Sequence, residues 1–374
     1  MILAMPSADA WSQKASSIVL RGTVVENDSE EPIVGAHVFV SGTTVGGATD
    51  RYGRFEFRYD NPPIEFDLVA SIIGFLVEVR SLEAAALSGS DIEFVLSPRV
   101  YELGGVVVTS NNREWQQNLE RFKKLIFSST ENGRECKILN PEILDFAREP
   151  ETDVLTATAS EPLKVENGAL GYRITIHEPH LRGTETGLIW GGEMQFEELT
   201  PQSNRQRRRW SSARRLTYEG SAKHFFNAVV SDKLFESGYS VFSVERPGLI
   251  TNKRTNRAEI ILNPPVIENE ADPSVLRFFS FEGVLMVRYN REMESKRYAD
   301  YVLSMGLRER TGMAFSDGSR TRMYQISWLE PHAGAAMIDH RGIEYGDVSM
   351  ERFGYWSWER LGEMLPADFD TDDL

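Results

Sequence analysis

Between residues 18 and 96, apolar and polar positions alternate in short segments that are separated by turn residues. A period of two predicts β-strands with one buried face and one solvent face, the pattern of an antiparallel sandwich. The predicted strands are 18–25, 36–40, 54–59, 64–73, 75–80 and 92–96, with a last one at 106–109. Asp50 and Gly53 predict a tight turn, because aspartate accepts nearby N–H groups and glycine adopts left-handed backbone easily.

After residue 110 the apolar period becomes helical. Trp115, Leu119, Phe122 and Ile126 form one stripe at i, i+4, i+7 and i+11. Asn167 and Gly168 predict a two-residue type I′ hairpin turn. Further strands are predicted at 154–159, 163–165, 170–176, 259–262, 278–289 and 322–329, helices at 203–216, 221–235 and 355–365, and a hairpin at 336–343. The mixture predicts an α+β domain.

Four segments follow from these patterns. Residues 1–16 are the remnant of an export signal or a disordered tail, and residues 17–110 form the β-sandwich. Residues 111–366 form a larger α+β domain of unknown function. Residues 367–374 are an acidic tail, and the composition from Asp368 onward favours disorder.

Composition and charge exclude several classes of protein. A hydrophobic fraction of 41% excludes global disorder. The 41 basic and 56 acidic residues give a net charge of −15, which argues against nucleic acid as a partner. The longest apolar run, residues 68–77, is shorter than the roughly 20 residues that cross a bilayer, so no transmembrane segment is predicted. It indicates a buried strand with a bend at Gly74.

The sandwich region resembles the carboxypeptidase regulatory-like domain. The residues that carry the resemblance are Gly22-Thr-Val, Pro32-Ile-Val-Gly35-Ala36-His-Val38, Gly42-Thr and Thr49-Asp50-Arg-Tyr-Gly53-Arg-Phe55-Glu-Phe57. The resemblance implies a transthyretin-like, seven-stranded β-sandwich that acts as an accessory module without catalytic residues. The segment from Leu96 resembles the one that follows this domain in outer-membrane nutrient receptors of Bacteroidota-type bacteria.

The second half is similar to the region behind the same sandwich in uncharacterised Bacteroidota-type proteins. The matching segments are Cys136-Lys-Ile-Leu-Asn-Pro-Glu, Gly168-Ala-Leu-Gly-Tyr172, Gly220-Ser-Ala-Lys-His224 and Gly354-Tyr-Trp-Ser-Trp-Glu-Arg. This similarity implies a common architecture and brings no activity with it.

The first residues and the cysteine count bear on the compartment. The short apolar stretch from Met1 precedes small residues at Ala8 and Ala10, as at the end of an export signal cleaved after Ala10. We therefore expect a periplasmic or outer-membrane-associated protein. A frayed N-terminal tail is the alternative. Cys136 is the only cysteine, so no intramolecular disulfide forms.

No catalytic, cofactor-binding or metal-binding residue is predicted. The chain lacks the His-x-x-Glu ligand pair of a zinc carboxypeptidase, the nucleophile elbow of serine hydrolases and the glycine-rich loops of nucleotide-binding proteins. His177 and His180 lie at the end of a predicted strand and indicate a polar turn. The same interpretation holds for His332, Asp339 and His340. We expect the Cys136 side chain to pack as a small hydrophobic group.

Dense positive charge is the most conspicuous local feature. It lies on the predicted helix 203–216, whose arginines are Arg205, Arg207, Arg208, Arg209, Arg214 and Arg215. Guanidinium groups pair bidentately with carboxylate and phosphate, which favours an anionic partner: an envelope protein, an acidic glycan or a lipid headgroup. A solvated helix facing the chain's own acidic surface is the alternative. Trp356 and Trp358 belong either to a sugar-stacking surface or to the core.

Two main functions remain open from the sequence, beside a periplasmic partner of a nutrient receptor, which the shared sandwich alone suggests. The first is a non-enzymatic envelope protein, with the sandwich as a docking or spacer module and the α+β domain as a partner- or glycan-binding domain. The second is an envelope hydrolase acting on peptide or glycan through dispersed carboxylates such as Glu178, Glu197 and Glu282. The oligomeric state is left open.

Overall fold

The computed structural model describes most of the chain in two units. The described residues are 17–87, 91–99, 112–184, 187–244, 259–261, 266–268, 276–279, 281, 283–304, 324–331, 336–339, 341–345 and 350–370. The first unit comprises Met1–Val38 and Val45–Pro98, and the second comprises Phe39–Thr44 and Arg99–Leu374. No helix among the described residues is long and apolar enough to span a membrane.

The N-terminal domain contains seven strands in two sheets. The strands are β1 (Ser17–Glu26), β2 (His37–Val40), β3 (Gly46–Ala48), β4 (Arg54–Asp60), β5 (Glu65–Ser71), β6 (Glu78–Glu83) and β7 (Ile92–Leu96). One sheet has the order β4-β1-β7 and the other β3-β2-β5-β6. Ile92, Phe94 and Leu96 are buried while the residues between them are exposed, so the period of two reflects a real buried face. The predicted β-sandwich fold is confirmed.

Two details of the first unit differ from the sequence expectation. β1 pairs antiparallel with β4 but parallel with β7, so the sandwich is not purely antiparallel. The predicted strands 64–73 and 75–80 are separated by a longer bend, because Gly74 takes a φ of +92° and β6 starts only at Glu78. The predicted strand at 106–109 lies outside the described residues.

Asp50 and Gly53 occupy the turn before β4. The Asp50 carboxylate accepts hydrogen bonds from the backbone N–H groups of Tyr52 and Arg54, at 2.8 and 2.9 Å. These two bonds lower the pKa of Asp50. Gly53 has a φ of +70°, and a Cβ there would lie 2.7 Å from the carbonyl oxygen of Val24. Only glycine fits this position without strain.

The second unit is α+β. Its helices are α1 (Asn112–Phe127), α2 (Asn204–Tyr218), α3 (Ala222–Val230), α4 (Lys296–Ser304) and α5 (Tyr355–Trp358). Its strands are β8 (Cys136–Ile138), β9 (Leu144–Arg148), β10 (Leu155–Ala159), β11 (Leu163–Asn167), β12 (Tyr172–Gly183), β13 (Leu188–Glu198), β14 (Tyr239–Val244), β15 (Glu259–Ile261), β16 (Val266–Glu268), β17 (Leu276–Phe279), β18 (Val284–Met293), β19 (Tyr324–Pro331), β20 (Ala336–Asp339), β21 (Glu344–Tyr345) and β22 (Met350–Gly354). Short 3-10 helices lie at Ala84–Leu87 in the first unit and at Gly133–Glu135, Pro141–Ile143 and Leu361–Glu363 in the second.

Three sheets organise these strands. The first has the order β8-β11-β12-β10-β9, with β13 also paired to β12. The others have the orders β15-β14-β18-β19-β22 and β16-β17-β20-β21. The predicted α1 stripe packs on the first sheet: Leu119, Phe122 and Ile126 are buried in its core, and the Trp115 indole donates to the carbonyl oxygen of Leu144 at 3.0 Å.

Three local predictions differ from the structure. The hairpin at Asn167 has a four-residue loop, because its buried side chain accepts the N–H groups of Ala169 and Leu170 and donates to the carbonyl of Gly362. The predicted strand 278–289 is divided between β17 and β18. The closing helix is the four-residue α5 followed by a 3-10 helix.

The start of the acidic tail is packed, contrary to the disorder that its composition favours. The Lys223 ammonium donates to the carbonyl oxygens of Ala367 and Phe369, at 2.8 and 2.9 Å. The Phe369 ring lies 6.0 Å from that of Tyr218. Residues 371–374 lie outside the described residues.

Candidate functional site

All six arginines predicted to meet an anionic partner lie on α2. The helix begins at the N-cap Ser203, whose hydroxyl accepts from the backbone N–H of Gln206 at 3.2 Å. The Gln206 side chain accepts in turn from the N–H of Gln202 at 2.7 Å, so both side chains satisfy N–H groups at the start of the helix. Trp210 is the buried residue of α2, and its indole donates to the carbonyl of Gly168 at 2.9 Å.

Two of the six arginines form hydrogen bonds and ion pairs with other parts of the chain. Arg214 lies 4.0 Å from the ring centre of Tyr172, and it donates to the carbonyl of Leu170 at 2.8 Å and to Glu198 at 2.9 Å. Arg209 donates to the carbonyl of Gly168 at 2.7 Å and to Glu135 at 3.1 Å. Their hydrogen bonds fix the β11–β12 loop to α2. We therefore assign both side chains a structural role.

The other four arginines are exposed: Arg205, Arg207, Arg208 and Arg215. None of their guanidinium groups has a hydrogen bond or ion pair with the described part of the chain. At 100° per residue, Arg205, Arg208 and Arg215 fall within about 80° around the helix and extend over about 15 Å of its axis. We call these three residues the arginine stripe. Arg207 projects about 120° away from the centre of the stripe.

Arg207 lines a pocket at the side of α2 with a volume of about 400 Å³. Ser211 and Arg214 also line it, one and two turns further along the helix. Apolar lining is provided by Leu199, Pro201, Pro366 and Phe369. Two carboxylates, those of Glu198 and Asp368, face the same cavity. We call this cavity the α2 pocket, and its lining residues all belong to the second unit.

The two carboxylates of the α2 pocket differ in the groups that bind them. Glu198 pairs with Arg214 and accepts the hydroxyl of Tyr172, whose pKa is raised mainly by burial. Asp368 accepts the backbone N–H of Thr44 at 3.0 Å and also its hydroxyl. No cation of the described residues lies within ion-pair distance of Asp368. Lys223, whose charge interacts with Asp368, donates to the flanking carbonyl oxygens of Ala367 and Phe369 instead. The negative charge of Asp368 is therefore hydrogen-bonded and has no direct ion pair among the described residues.

Gly171 allows α2 to lie close to the β11–β12 loop. It has a φ of +72°, and a Cβ at this position would lie 2.3 Å from Cδ2 of Trp210. A glycine is therefore required by backbone conformation and by the indole ring together. The close approach holds α2, and with it the arginines, at the loop.

The histidines do not form a metal site in the described structure. His177 and His180 lie inside β12, at a β-bulge where Glu178 has a φ of +49°, and not at a strand end as predicted. No group of three or more potential metal ligands occurs among the described residues. Asp339 holds the β20–β21 turn by accepting from the N–H groups of Arg341 and Ile343. His332 and His340 lie outside the described residues.

The two tryptophans and the cysteine named from the sequence are packed inside the second unit. Trp356 and Trp358 are buried, and their indoles donate to the carbonyl of Gly220 and to Ser129, so neither offers a face to a sugar. Burial raises the pKa of the Cys136 thiol to about 12, which leaves no thiolate nucleophile near neutral pH.

The carboxylates proposed for hydrolysis do not converge. Glu178 pairs with Arg99 at 2.5 Å, and Glu197 pairs with Arg173 at 3.3 Å. Arg173 lies opposite Glu197, five residues from Glu178 along β12, which corresponds to about 15 Å. Glycosidase carboxyl pairs are only about 5 to 9.5 Å apart. Glu282 lies outside the described residues.

The arginines of α2 were predictable from the sequence, but most of the α2 pocket was not. The i, i+4 and i+7 spacing of Arg207, Ser211 and Arg214 was available as a signal. Tyr172 and Asp368 carry no local signal, because almost 200 residues separate them.

Comparison with known proteins identifies one domain. Residues 20–108 match the family model described as the CarboxypepD_reg-like domain, and this range covers the seven-stranded sandwich except for the first three residues of β1. A search of curated proteins found no match.

Proposed function

From the CarboxypepD_reg-like domain at residues 20–108, we propose that the protein is a non-enzymatic component of the cell envelope. In this proposal the sandwich is a docking or spacer module. The second unit binds an anionic partner through the arginine stripe. The β-sandwich domain is compatible with a role that needs no catalytic residues.

The uncompensated charge of the arginine stripe carries this proposal. Arg205 and Arg208 are neighbours at i, i+3, where like charges destabilise a helix by about 0.2 to 0.5 kcal/mol. The chain has 56 acidic residues, yet none of those described pairs with the stripe, whereas Arg209 and Arg214 are paired. A surface that repels itself and is not neutralised by its own chain suits a partner with phosphate, sulfate or carboxylate groups.

Binding to a soluble polyanion tests the stripe directly. We expect dextran sulfate to bind the wild type at low salt and to bind the triple variant Arg205→Ala, Arg208→Ala, Arg215→Ala at least about tenfold more weakly. The matched control replaces the same three residues by lysine and should retain most of the binding. Equal affinity of the wild type and the alanine variant would refute the role of the stripe.

The location requires a separate experiment. Fractionation of the native host should place the protein in the periplasm or with the outer membrane, and N-terminal sequencing should find a mature start after Ala10. Crosslinking with mass spectrometry in the same cells should recover a partner that the alanine variant loses. A cytosolic protein with an intact N-terminus would contradict the envelope assignment.

Hydrolysis is not favoured by any observation on the described residues. Glu178 and Glu197 are ion-paired and distant from each other, and Glu198 of the α2 pocket is neutralised by Arg214. Turnover of an envelope peptide or glycan that is lost on one polar substitution would nevertheless overturn the non-enzymatic proposal.

A further inference from the structure

We propose that the α2 pocket binds a short peptide with free termini, of about two residues. Its carboxylate binds Arg207 and its ammonium binds Asp368. This site is distinct from the arginine stripe, because Arg207 projects into the pocket while the stripe faces away from it.

Charge complementarity supports a zwitterionic ligand. Arg207 is a cation with no ion pair among the described residues, and Asp368 is a carboxylate that receives hydrogen bonds only from neutral donors of Thr44. The other charged residues of the pocket, Glu198 and Arg214, neutralise each other at 2.9 Å. Arg207 and Asp368 therefore remain without a direct ion pair among the described residues, although the charge of Lys223 also interacts with Asp368. A peptide with free ends carries the two opposite charges that match them.

The size of the cavity matches a dipeptide. A volume of 400 Å³ lies in the range of about 300 to 1,000 Å³ typical of small-molecule sites. A sphere of that volume is about 9 Å across, and two extended residues span about 7 Å. Arg207 and Asp368 line the same cavity, so the charged ends of such a ligand can reach both groups.

Much of the wall is apolar and suits an amino-acid side chain. Leu199, Pro201 and Pro366 present apolar surface without hydrogen-bonding side chains. The ring of Tyr172 is buried and covered by the Arg214 guanidinium at 4.0 Å, so it offers no stacking platform for a sugar. The Ser211 hydroxyl lies one helical turn from Arg207 and is placed to donate to the same carboxylate.

Calorimetric titration with leucyl-alanine tests the proposal on the full chain. We expect binding to the wild type and affinity at least about tenfold lower for Arg207→Gln and for Asp368→Asn, since each removes one charged contact. Arg208→Gln, one position along α2 but on the stripe, is the matched control and should bind like the wild type. Thermal melts show whether each variant retains its fold.

Blocked ligands test the same contacts without changing the protein. N-acetyl-leucyl-alanine should bind the wild type at least about tenfold more weakly than leucyl-alanine, and Asp368→Asn should weaken it no further. Arg207→Gln should still weaken it, because the carboxylate is present. Equal binding of the free and acetylated peptides, or no detectable binding of leucyl-alanine at millimolar concentration, would overturn the proposal.

Three further outcomes separate the alternatives. If methyl glucuronide binds more tightly than leucyl-alanine and Arg207→Gln abolishes its binding, the pocket is an acidic-sugar site and the peptide proposal is wrong. Loss of dextran sulfate binding in the stripe variant with unchanged peptide binding would support both sites as independent. Peptide binding without any polyanion binding would leave this inference standing and refute the stripe.

Discussion

Substitution of Gly171 by alanine tests how α2 is held in place. The Cβ would lie 2.3, 2.5 and 2.7 Å from three atoms of the Trp210 indole, all shorter than a carbon contact allows. A side chain at a φ of +72° costs about 1 to 2 kcal/mol in backbone strain. Displacing a packed indole adds about 1 to 3 kcal/mol. We therefore expect Gly171→Ala to lower the free energy of unfolding by about 2 to 5 kcal/mol.

The matched control is Gly238→Ala in the same unit. Gly238 has a φ of +90°, but the nearest atoms to its added Cβ belong to the flexible side chain of Arg291, at 2.8 Å and beyond. This substitution bears the backbone strain and avoids the aromatic clash, so about 1 to 2 kcal/mol is expected.

Urea unfolding followed by tryptophan fluorescence measures both variants. Every tryptophan except Trp11 belongs to the second unit, so the signal reports this unit. Gly171→Ala should also weaken dextran sulfate binding if the loop positions α2. Equal loss of stability in the two variants would refute the argument that the Trp210 contact, beyond backbone strain, requires glycine at residue 171.

Three further predictions concern single side chains. Burial lowers the pKa of His224 from 6.5 to about 4, so its stabilising contribution is complete above pH 6.5 and is lost as the pH falls toward 4. Because the ring is partly exposed, we expect a contribution of only about 1 to 2 kcal/mol, since protonation of Nδ1 removes its ability to accept the Gly220 N–H at 3.1 Å. His224→Gln should lack this part of the pH dependence in urea titrations. Burial and neighbouring carboxylates raise the pKa of Glu359. The free energy of unfolding therefore falls as the pH rises above the unfolded pKa of 4.5. At pH 8, Glu359→Gln should have a free energy of unfolding about 1 kcal/mol higher than the wild type, and a less stable variant would contradict this. Arg209→Ala should lower the free energy of unfolding by about 0.5 to 1 kcal/mol, because it removes hydrogen bonds to Gly168 and Glu135, whereas Arg205→Ala should change it by less than about 0.5 kcal/mol. Equal losses in the same assay would argue against the structural role of Arg209.

Elements with a strong repeated pattern were predictable from the sequence. β7 alternates buried and exposed residues along its whole length, and α1 buries Leu119, Phe122 and Ile126 at helical spacing. The turn at Asp50 was predictable as well, because its hydrogen bonds join residues within four positions. In each case the physical cause is a local backbone geometry that repeats over neighbouring residues.

Features that depend on distant partners were not predictable. The parallel pairing of Gly22 with Ile92 joins residues 70 positions apart, and alternation is the same in parallel and antiparallel strands. The turn after Asn167 looked like a two-residue hairpin, but the side chain is buried beneath Gly362, almost 200 residues away. Local turn preferences yield to such contacts because a buried amide must satisfy its hydrogen bonds.

The sequence by itself determined the β-sandwich, the α+β class of the second unit and the concentration of arginines on one helix, since each follows from residue identity and local period. Only the tertiary structure decided which arginines are bound within the chain and which face solvent or the α2 pocket. Arg209 and Arg215 are both arginines of α2, yet only Arg209 has Gly168 and Glu135 within hydrogen-bond distance. That difference arises because the partners come from separate segments, which folding alone brings together.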